Sequence, residues 1–417
     1  MNDPKFVEYI QPLLVEGGSN EVLDFKAWAN RLNKRFKIVK LAEGSFGEVF
    51  KLGEKGIGIT AAPVLDAYGG CIMKVVPLNA ESGPGSKKYS AIAEVVREVK
   101  LLKTMDKVPG FARFRKVHVV QGRYPDSFLK AFRDFKEEGK DCHNQDPERF
   151  SSKQLFAIIE MDDAGTDLDS LRKPSVFQVH DIFWSTVVLL ANAEEQVEFE
   201  HRDLHVGNIC IKPGVAGGVI EIPSELVSNM SAAPKSLLGL AGIRTTIIDY
   251  TLSRAASDPE KVDVIFDPFR DASLFKAVGV NPEDKRQFET YRSMQRCVVA
   301  AHVSPRQRGK GFSKLGKNVD IWSRFVPQTN IVWLSYILHV LLFRANARIV
   351  PNSNEVAEKL QVQMYDTLKD VMNRLNGDSK TLPTSAKDLV CIAEANGWLT
   401  EEDLMGLKER LEAEQEE

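Results

Sequence analysis

The sequence has no apolar run long enough to cross a bilayer. Its most apolar stretch, residues 331–343, is flanked by Asn330 and Arg344. It falls short of the about 20 residues a spanning helix needs and reads as a buried core helix. Cysteine is scarce: five residues, Cys71, Cys142, Cys210, Cys297 and Cys391, lie far apart with no Cys-x-x-Cys. A disulfide framework and a cysteine zinc site are therefore excluded; reduced thiols of the cytosol or nucleus fit, each a small buried apolar residue or inert. A dominant charge sign is also lacking. The 55 basic against 58 acidic residues, net −3, leave no overall footprint for nucleic acid or an anionic membrane. The opening MNDPKFVEYIQ carries early acids and no apolar run, so no secretory signal is expected in it. Internal repeats and long low-complexity tracts are missing as well.

What is present is an ordinary globular composition in a chain of 417 residues, enough for a two-lobed domain with a sizeable core. Residues 21–34 look helical. Residues 38–41 and 48–51 read as strands around a glycine turn, and 71–76 as a third, β-rich strand. Between them, residues 53–70 read as a Gly-, Ala- and Pro-rich loop. Ile92, Val95, Val96, Val99 and Leu102 recur at helical spacing within 90–105. Residues 136–153 are polar and predict a surface excursion, 155–161 an apolar strand, and 162–165 a hinge. Helical signals dominate afterwards, broken by a Gly/Pro/Ser-rich insertion at 213–242. The predicted architecture is α+β and bilobal, with a strand-rich first lobe and a helical second lobe; the strings described next make it protein-kinase-like. The predicted boundaries are a helical extension at 1–35, lobes at 36–162 and 163–400, and an acidic tail at 401–417, read as an exposed helix or a frayed end.

Chemistry concentrates in a few strings. Gly44-Ser45-Phe46-Gly47-Glu48-Val49 places glycines at a strand–turn–strand tip, where backbone amides can approach phosphate oxygens. Ala42 stands where the kinase glycine loop has its first glycine. By itself such a turn is more often a plain hairpin. Lys74 sits mid-strand among apolar residues and needs a counter-charge or water. Its kinase-like partner is a helix glutamate; Glu98 is preferred, with Glu94 one turn earlier as the competitor.

The most specific string is His201-Arg202-Asp203-Leu204-His205-Val206-Gly207-Asn208, which matches H-R-D-L-x-x-x-N at every fixed position. Asp203 is the carboxylate that accepts the substrate hydroxyl proton, and Asn208 an amide oxygen for magnesium. Further on, Thr245-Thr246-Ile247-Ile248 leads into Asp249-Tyr250-Thr251, where Asp249 is placed to hold magnesium. Tyr250 and Thr251 replace the usual Phe and Gly. Losing that glycine should hinder flipping of the segment. No Ala-Pro-Glu follows, so residues 252–330 depart from an ordinary activation segment, and activation by loop phosphorylation is not assumed.

With these strings in place, the chain resembles the haspin family of atypical eukaryotic protein kinases. The likeness is carried by Glu43-Gly44-Ser45-Phe46-Gly47-Glu48-Val49-Phe50, Val120-Gln121-Gly122-Arg123-Tyr124-Pro125, Phe199-Glu200-His201-Arg202-Asp203-Leu204-His205, Asp249-Tyr250-Thr251-Leu252-Ser253-Arg254 and Gln287-Phe288-Glu289-Thr290-Tyr291-Arg292. The resemblance implies an ATP- and Mg2+-dependent serine/threonine protein kinase acting on a threonine near the N-terminus of histone H3 in mitosis. It implies Lys74, Glu98, Asp203, Asn208 and Asp249 as the catalytic and metal set. It places Ala42, Gly44, Ser45, Gly47, Val49, Met161 (the gatekeeper), Asp162, Ala164 and Asp167 around the nucleotide, and Asp169, His205 and Asp271 along the substrate. The implied partner is a basic histone tail bound by a monomer, without direct nucleic-acid or membrane binding. The nucleus or chromosome is the implied location, with the cytoplasm as the alternative. Crowded acids, Asp162, Asp163, Asp167 and Asp169 and then Asp263, Asp267 and Asp271, agree with a basic substrate. Ala272-Ser273 before Leu274-Phe275 and the hinge residues Asp162 to Ala164 depart from the family pattern. The long N-terminal extension of some members is missing, so any targeting signals there would be absent.

Two other readings compete. Asp203-Leu204-His205-Val206-Gly207-Asn208 also looks like the loop of aminoglycoside and choline phosphotransferases. Arg202, the glycine turn and Asp249-Tyr250-Thr251 oppose that. A pseudokinase scaffold is the second; the presence of Lys74, Asp203 and Asp249 opposes it.

Overall fold

The structure is a computed structural model that describes residues 4–44, 47–54, 70–79, 89–140, 142–214, 224–256, 264–265, 273–302, 321–345, 349–377 and 381–416. Ser45, Asp263, Asp267 and Asp271 lie outside the described residues. The chain divides into two compact units, residues 1–103 with 113–163, and residues 104–112 with 164–417.

The first unit is built on a six-stranded sheet ordered β1-β5-β6-β4-β3-β2. Its strands are β1 (Leu23–Asp24), β2 (Phe36–Gly44), β3 (Gly47–Glu54), β4 (Cys71–Leu78), β5 (Phe114–Gln121) and β6 (Leu155–Asp162). Only the β1–β5 pair is parallel among these. Helix α1 (Pro4–Glu16) precedes the sheet, and α2 (Phe25–Asn33) starts where the Asp24 side chain accepts from Ala27 N at 2.7 Å. Phe25 and Trp28 bury one face of α2 in an aromatic core with Phe50, Tyr124, Phe128 and Phe156. Truncating such a phenylalanine would cost about 3–5 kcal/mol. Residues 23–33 are therefore part of this unit's core and sheet. Helix α3 (Ile92–Met105) follows β4, and α4 (Asp126–Glu137) follows β5. Phe128, Ala131, Phe132 and Phe135 form the buried face of α4 at spacings of three and four.

The second unit centres on α5 (Val176–Val197). A capping box of Ser175 and Gln178 starts it, and Glu198, with φ 47°, ends it in the left-handed region. This helix is long and apolar enough to span a membrane, yet 83% of its most apolar window is buried within the fold. It acts as the core helix. A small sheet, β7 (Thr166–Asp167), β8 (Ile209–Pro213) and β9 (Ile243–Ile247), adjoins the strings 201–208 and 249–251. Gly165, φ +99°, enters β7 where a Cβ would meet the Ile211 carbonyl at 2.2 Å. Helix α6 (Ser224–Ser228), the bridge pair β10 (Arg254–Ala255) and β11 (Val264–Ile265), and α7 (Ser273–Lys276) precede α8 (Pro282–His302). Then come α9 (Gln328–Ala345), α10 (Glu355–Leu375), α11 (Ala386–Ala395) and α12 (Glu401–Glu416). The predicted core helix at 331–343 is α9, although Phe343 at its end is 76% exposed.

Two expectations change in detail. Of the two readings of the acidic end the helix holds: α12 is exposed at most of its described positions but buries Asp403, Leu407 and Leu411. Asp403 accepts from Ser236 Oγ, Leu237 N and Leu238 N at 2.8, 2.7 and 2.9 Å, so it anchors the 213–242 insertion. The stretch at 136–153 is more than a surface excursion, since Phe150 is buried and Asn144 reaches the glycine turn. Of the cysteines, Cys71 and Cys210 are buried and Cys391 is exposed. Burial pushes the Cys71 thiol up to about 12, which keeps it protonated and unreactive.

Candidate active site

In the first unit, β3 pairs with β4 so that Val49 faces Lys74. Lys74 is 6% exposed, and its ammonium binds the Glu98 carboxylate from α3. Glu94 does something else: its Oε2 accepts from Ala91 N at 2.9 Å and caps the start of α3. One helical turn thus separates a capping carboxylate from the one that pairs with Lys74. The lysine sits under the glycine turn, with the Gly44 Cβ position 3.6 Å from Lys74 Cε. A Cβ on Gly47 would meet the Val75 carbonyl at 2.4 Å, so backbone packing requires glycine there. Ala42 is exposed beside a register shift between Lys40 and Ala42.

The glycine turn is clamped from outside the hairpin. Asn144 Nδ2 donates to Gly44 O, Gly47 O and Glu48 Oε1, each at 3.3 Å. The backbone N–H of His143 donates to Glu43 Oε2 at 2.7 Å. Beneath, the buried Lys40 pairs with Glu48 and lies over the Phe132 and Phe135 rings at 4.7 and 4.8 Å. Burial raises the Glu48 carboxyl, against the pull of Lys40.

At the end of β6, Met161 is half-buried. Asp162 binds the Arg115 guanidinium, and Asp163 binds Lys51 Nζ at 2.5 Å. The hinge acids in this unit are therefore charge-matched internally.

In the second unit, residues 199–208 form a loop between α5 and β8. His201 is fully buried, and burial pushes it down to about 4, so the ring is neutral. Nδ1 accepts from Asp203 N at 3.3 Å, which leaves Nε2–H to donate to Ile248 O at 3.0 Å. The ring thus ties the loop to the Asp249 segment. Asn208 is 5% exposed and its Nδ2 donates to Asp203 O at 2.8 Å, which fixes the plane of its amide. Ile248 N donates to Asn208 O at 3.0 Å, so Asp249 follows directly after a residue bonded to Asn208. The two hard oxygen donors suit a cation that keeps water and phosphate in its remaining positions. Among the described residues no group of three or more His, Cys, Asp or Glu forms a metal cage.

Asp203 and Asp249 are held unusually. Arg202 has φ 64° and Asp249 φ 58°, both left-handed for residues with side chains. Such positions cost of order 1–3 kcal/mol each and persist only where neighbours enforce them. Thr251 N donates to Asp249 Oδ1 at 3.1 Å, and the Thr251 hydroxyl binds the same oxygen. The Tyr250 hydroxyl donates to Ile247 O at 2.9 Å and accepts from Ala112 N at 2.7 Å. Phenylalanine could make neither bond. Burial pushes the Asp203 carboxyl up to about 6, opposed by His205 and the Tyr291 hydroxyl and reinforced by Asp249. His205 Nε2 stands 4.0 Å from Asp203 Oδ1. Gly207 N donates to His205 Nδ1 at 3.0 Å, which leaves the ring proton on the nitrogen facing Asp203.

Residues 43–390 match the family described as Haspin like kinase domain. The chain belongs to the haspin family. It is 28% identical over 350 residues to the serine/threonine-protein kinase haspin homolog of Drosophila melanogaster, covering 82% of this chain and 54% of that one. It is 29% identical over 377 residues to haspin homolog hrk1 of Schizosaccharomyces pombe, covering 86% and 67%. It is 29% identical over 361 residues to serine/threonine-protein kinase haspin of Bos taurus, covering 84% and 39%. The chain thus spans about half the length of the first of these relatives.

Other predicted residues of this haspin-family chain fall as follows. Ala164 is half-buried in the second unit. Asp167 Oδ1 accepts from Ser170 N and Oγ at 2.9 and 3.0 Å, closing a local turn. Asp169 pairs with Arg344 at 3.1 Å, and Arg344 also binds Glu283. Two residues given no role from sequence enter the site: Asn144 on the glycine turn and Tyr291, whose hydroxyl binds Asp203. Asn144 sits in a polar stretch without periodicity. Tyr291 looks like one more apolar-face residue of a helix. Asn144 carries no local signal, and although Tyr291 lies in the family-like string Gln287 to Arg292, nothing local pairs it with Asp203.

Proposed function

We propose that the chain is an ATP- and magnesium-dependent serine/threonine protein kinase that phosphorylates a threonine in the basic tail of histone H3. The observation that carries the kinase reading is the arrangement in the second unit. Asp203 has a carboxyl raised toward neutrality, and Asn208 and Asp249 present oxygens from adjacent backbone. Asp203 accepts the proton of the attacking hydroxyl as its oxygen bonds to the γ-phosphorus and the bond to the β-bridging oxygen breaks, releasing ADP. Lys74, oriented by Glu98, pairs with the α- and β-phosphates. Magnesium on Asn208 and Asp249 would supply neutralisation of phosphate charge.

Family membership supports the histone substrate. The acids Asp162, Asp163 and Asp169 add little to it, because Arg115, Lys51 and Arg344 already answer them. A tail-bound enzyme would act in the nucleus. Incubation with ATP and a histone H3 tail peptide, and separately with small amines, tests the substrate. Asp203→Asn is expected to lower turnover roughly 10²- to 10⁴-fold with ATP binding kept. Phosphorylated amines with an untouched peptide would install the small-molecule kinase instead. Absence of any magnesium–ATP thermal shift would indicate a scaffold.

A further inference from the structure

We propose that Tyr291 is a positioning residue for the catalytic base, an inference that rests on the kinase reading above. Tyr291 lies on α8 and is 4% exposed, with its hydroxyl donating to Asp203 Oδ1. Its ring stands edge-on to Trp333, centroids 5.0 Å apart at 82°, and Trp333 on α9 is fully buried. The phenol therefore has a fixed direction, set by α8 and α9 rather than by the catalytic loop. Burial raises the phenol well above its ordinary pKa, so it stays a donor.

A carboxylate has two oxygens and rotates about one bond. Pinning Oδ1 selects the rotamer and leaves the second oxygen to accept the substrate proton. Oδ2 has no hydrogen-bond partner among the described residues, and the Asp203 side chain keeps 17% of its surface open. A threonine hydroxyl bonded to Oδ2 would not compete with Tyr291, which holds Oδ1. The same donor also favours the ionised carboxylate, the form a base requires. Thus α8, in the region that departs from an ordinary activation segment, takes part in orienting the base.

The test compares wild type, Tyr291→Phe, Asp203→Asn and the double variant as purified full chains. Readouts are kcat and KM for peptide phosphorylation, the Asp203-dependent hydrolysis of magnesium–ATP, and thermal stability. Tyr291→Phe keeps the ring and its contact with Trp333. The expected result is a roughly 10- to 100-fold loss of kcat with little change in either KM, and no further loss in the Asp203→Asn background. An unchanged kcat would overturn the assignment. So would an increased kcat, which would mean that the phenol occupies the substrate's place, or a loss that persists fully in the Asp203→Asn background. If the phenylalanine variant unfolds, Tyr291→3,5-difluorotyrosine keeps the ring and the hydroxyl but changes the strength of its bond to Asp203, and a kcat and a pH–rate profile both identical to wild type overturn it. Inactivity on the histone peptide with Asp203-dependent ATP hydrolysis intact counts against the substrate alone, and the hydrolysis rates then decide the role of Tyr291.

Discussion

The Arg202 guanidinium grips the Glu200 carboxylate in the interior, Nη2 to Oε1 at 3.0 Å and Nε to Oε2 at 3.2 Å, and both side chains are fully buried. Arg202 also donates to Trp322 O at 2.7 Å and lies 5.3 Å above the Trp322 ring. Glu200 takes two further donors, Val326 N at 2.9 Å and Thr329 Oγ1 at 2.8 Å. In many kinases an activation-loop phosphate is read by arginines. Here the arginine of the catalytic loop already has a carboxylate, a carbonyl and an aromatic face.

From this pair we expect activity without loop phosphorylation. Phosphatase-treated protein should retain its rate on the peptide within about twofold. Glu200→Ala should destabilise the fold by about 3–5 kcal/mol, because it strands a buried cation. Denaturant unfolding measures the second, and a loss under 1 kcal/mol would contradict the structural role given to the pair.

Asn144→Ala should loosen the glycine turn. Three weak hydrogen bonds, one to a carboxylate, are lost from a partly buried site. Net losses of about 1 kcal/mol predict a rise in KM for ATP of roughly 3- to 10-fold, with kcat for the peptide nearly constant. Titration of initial rates against ATP checks this.

Tyr250→Phe should cost about 1–2 kcal/mol, since the bond to Ile247 O disappears and Ala112 N loses one of its two acceptors. The freed segment should show faster amide exchange over residues 247–252. Unchanged exchange there would mean that the left-handed Asp249 and the Thr251 contact hold it unaided.

Asp403 predicts a pH dependence. Burial raises its carboxyl, but hydrogen bonds from Leu238 N, Thr400 N, Ser236 and Thr400 outweigh this and hold it below its ordinary 3.8. The folded state therefore favours the ionised form. Its stabilisation is present above pH 3.8 and is lost as pH falls through the lowered value. Asp403→Asn should lower stability at pH 7 by about 2 kcal/mol, and the gap to wild type should narrow below pH 3.8. Melting curves across that range measure it. A gap that widens in acid would reverse the sign.

Contiguous residues made much of this protein readable before any fold was known. The string His201 to Asn208 is contiguous, because the proposed base Asp203 and the amide of Asn208 share one tight turn of backbone. The lysine strand, the glycine turn and α9 show themselves through local periodicity and composition. Tertiary structure decided the rest. It chose Glu98 over Glu94, since both lie on one helix and only packing tells which faces Lys74. It neutralised the hinge acids with cations from Lys51 and Arg115, 112 and 47 residues away. It set Tyr291 on Asp203 across 88 residues and Asn144 on Gly44 across 100. Side-chain periodicity reports which face of an element is buried, not which distant residue meets it there. That pairing follows from packing in three dimensions.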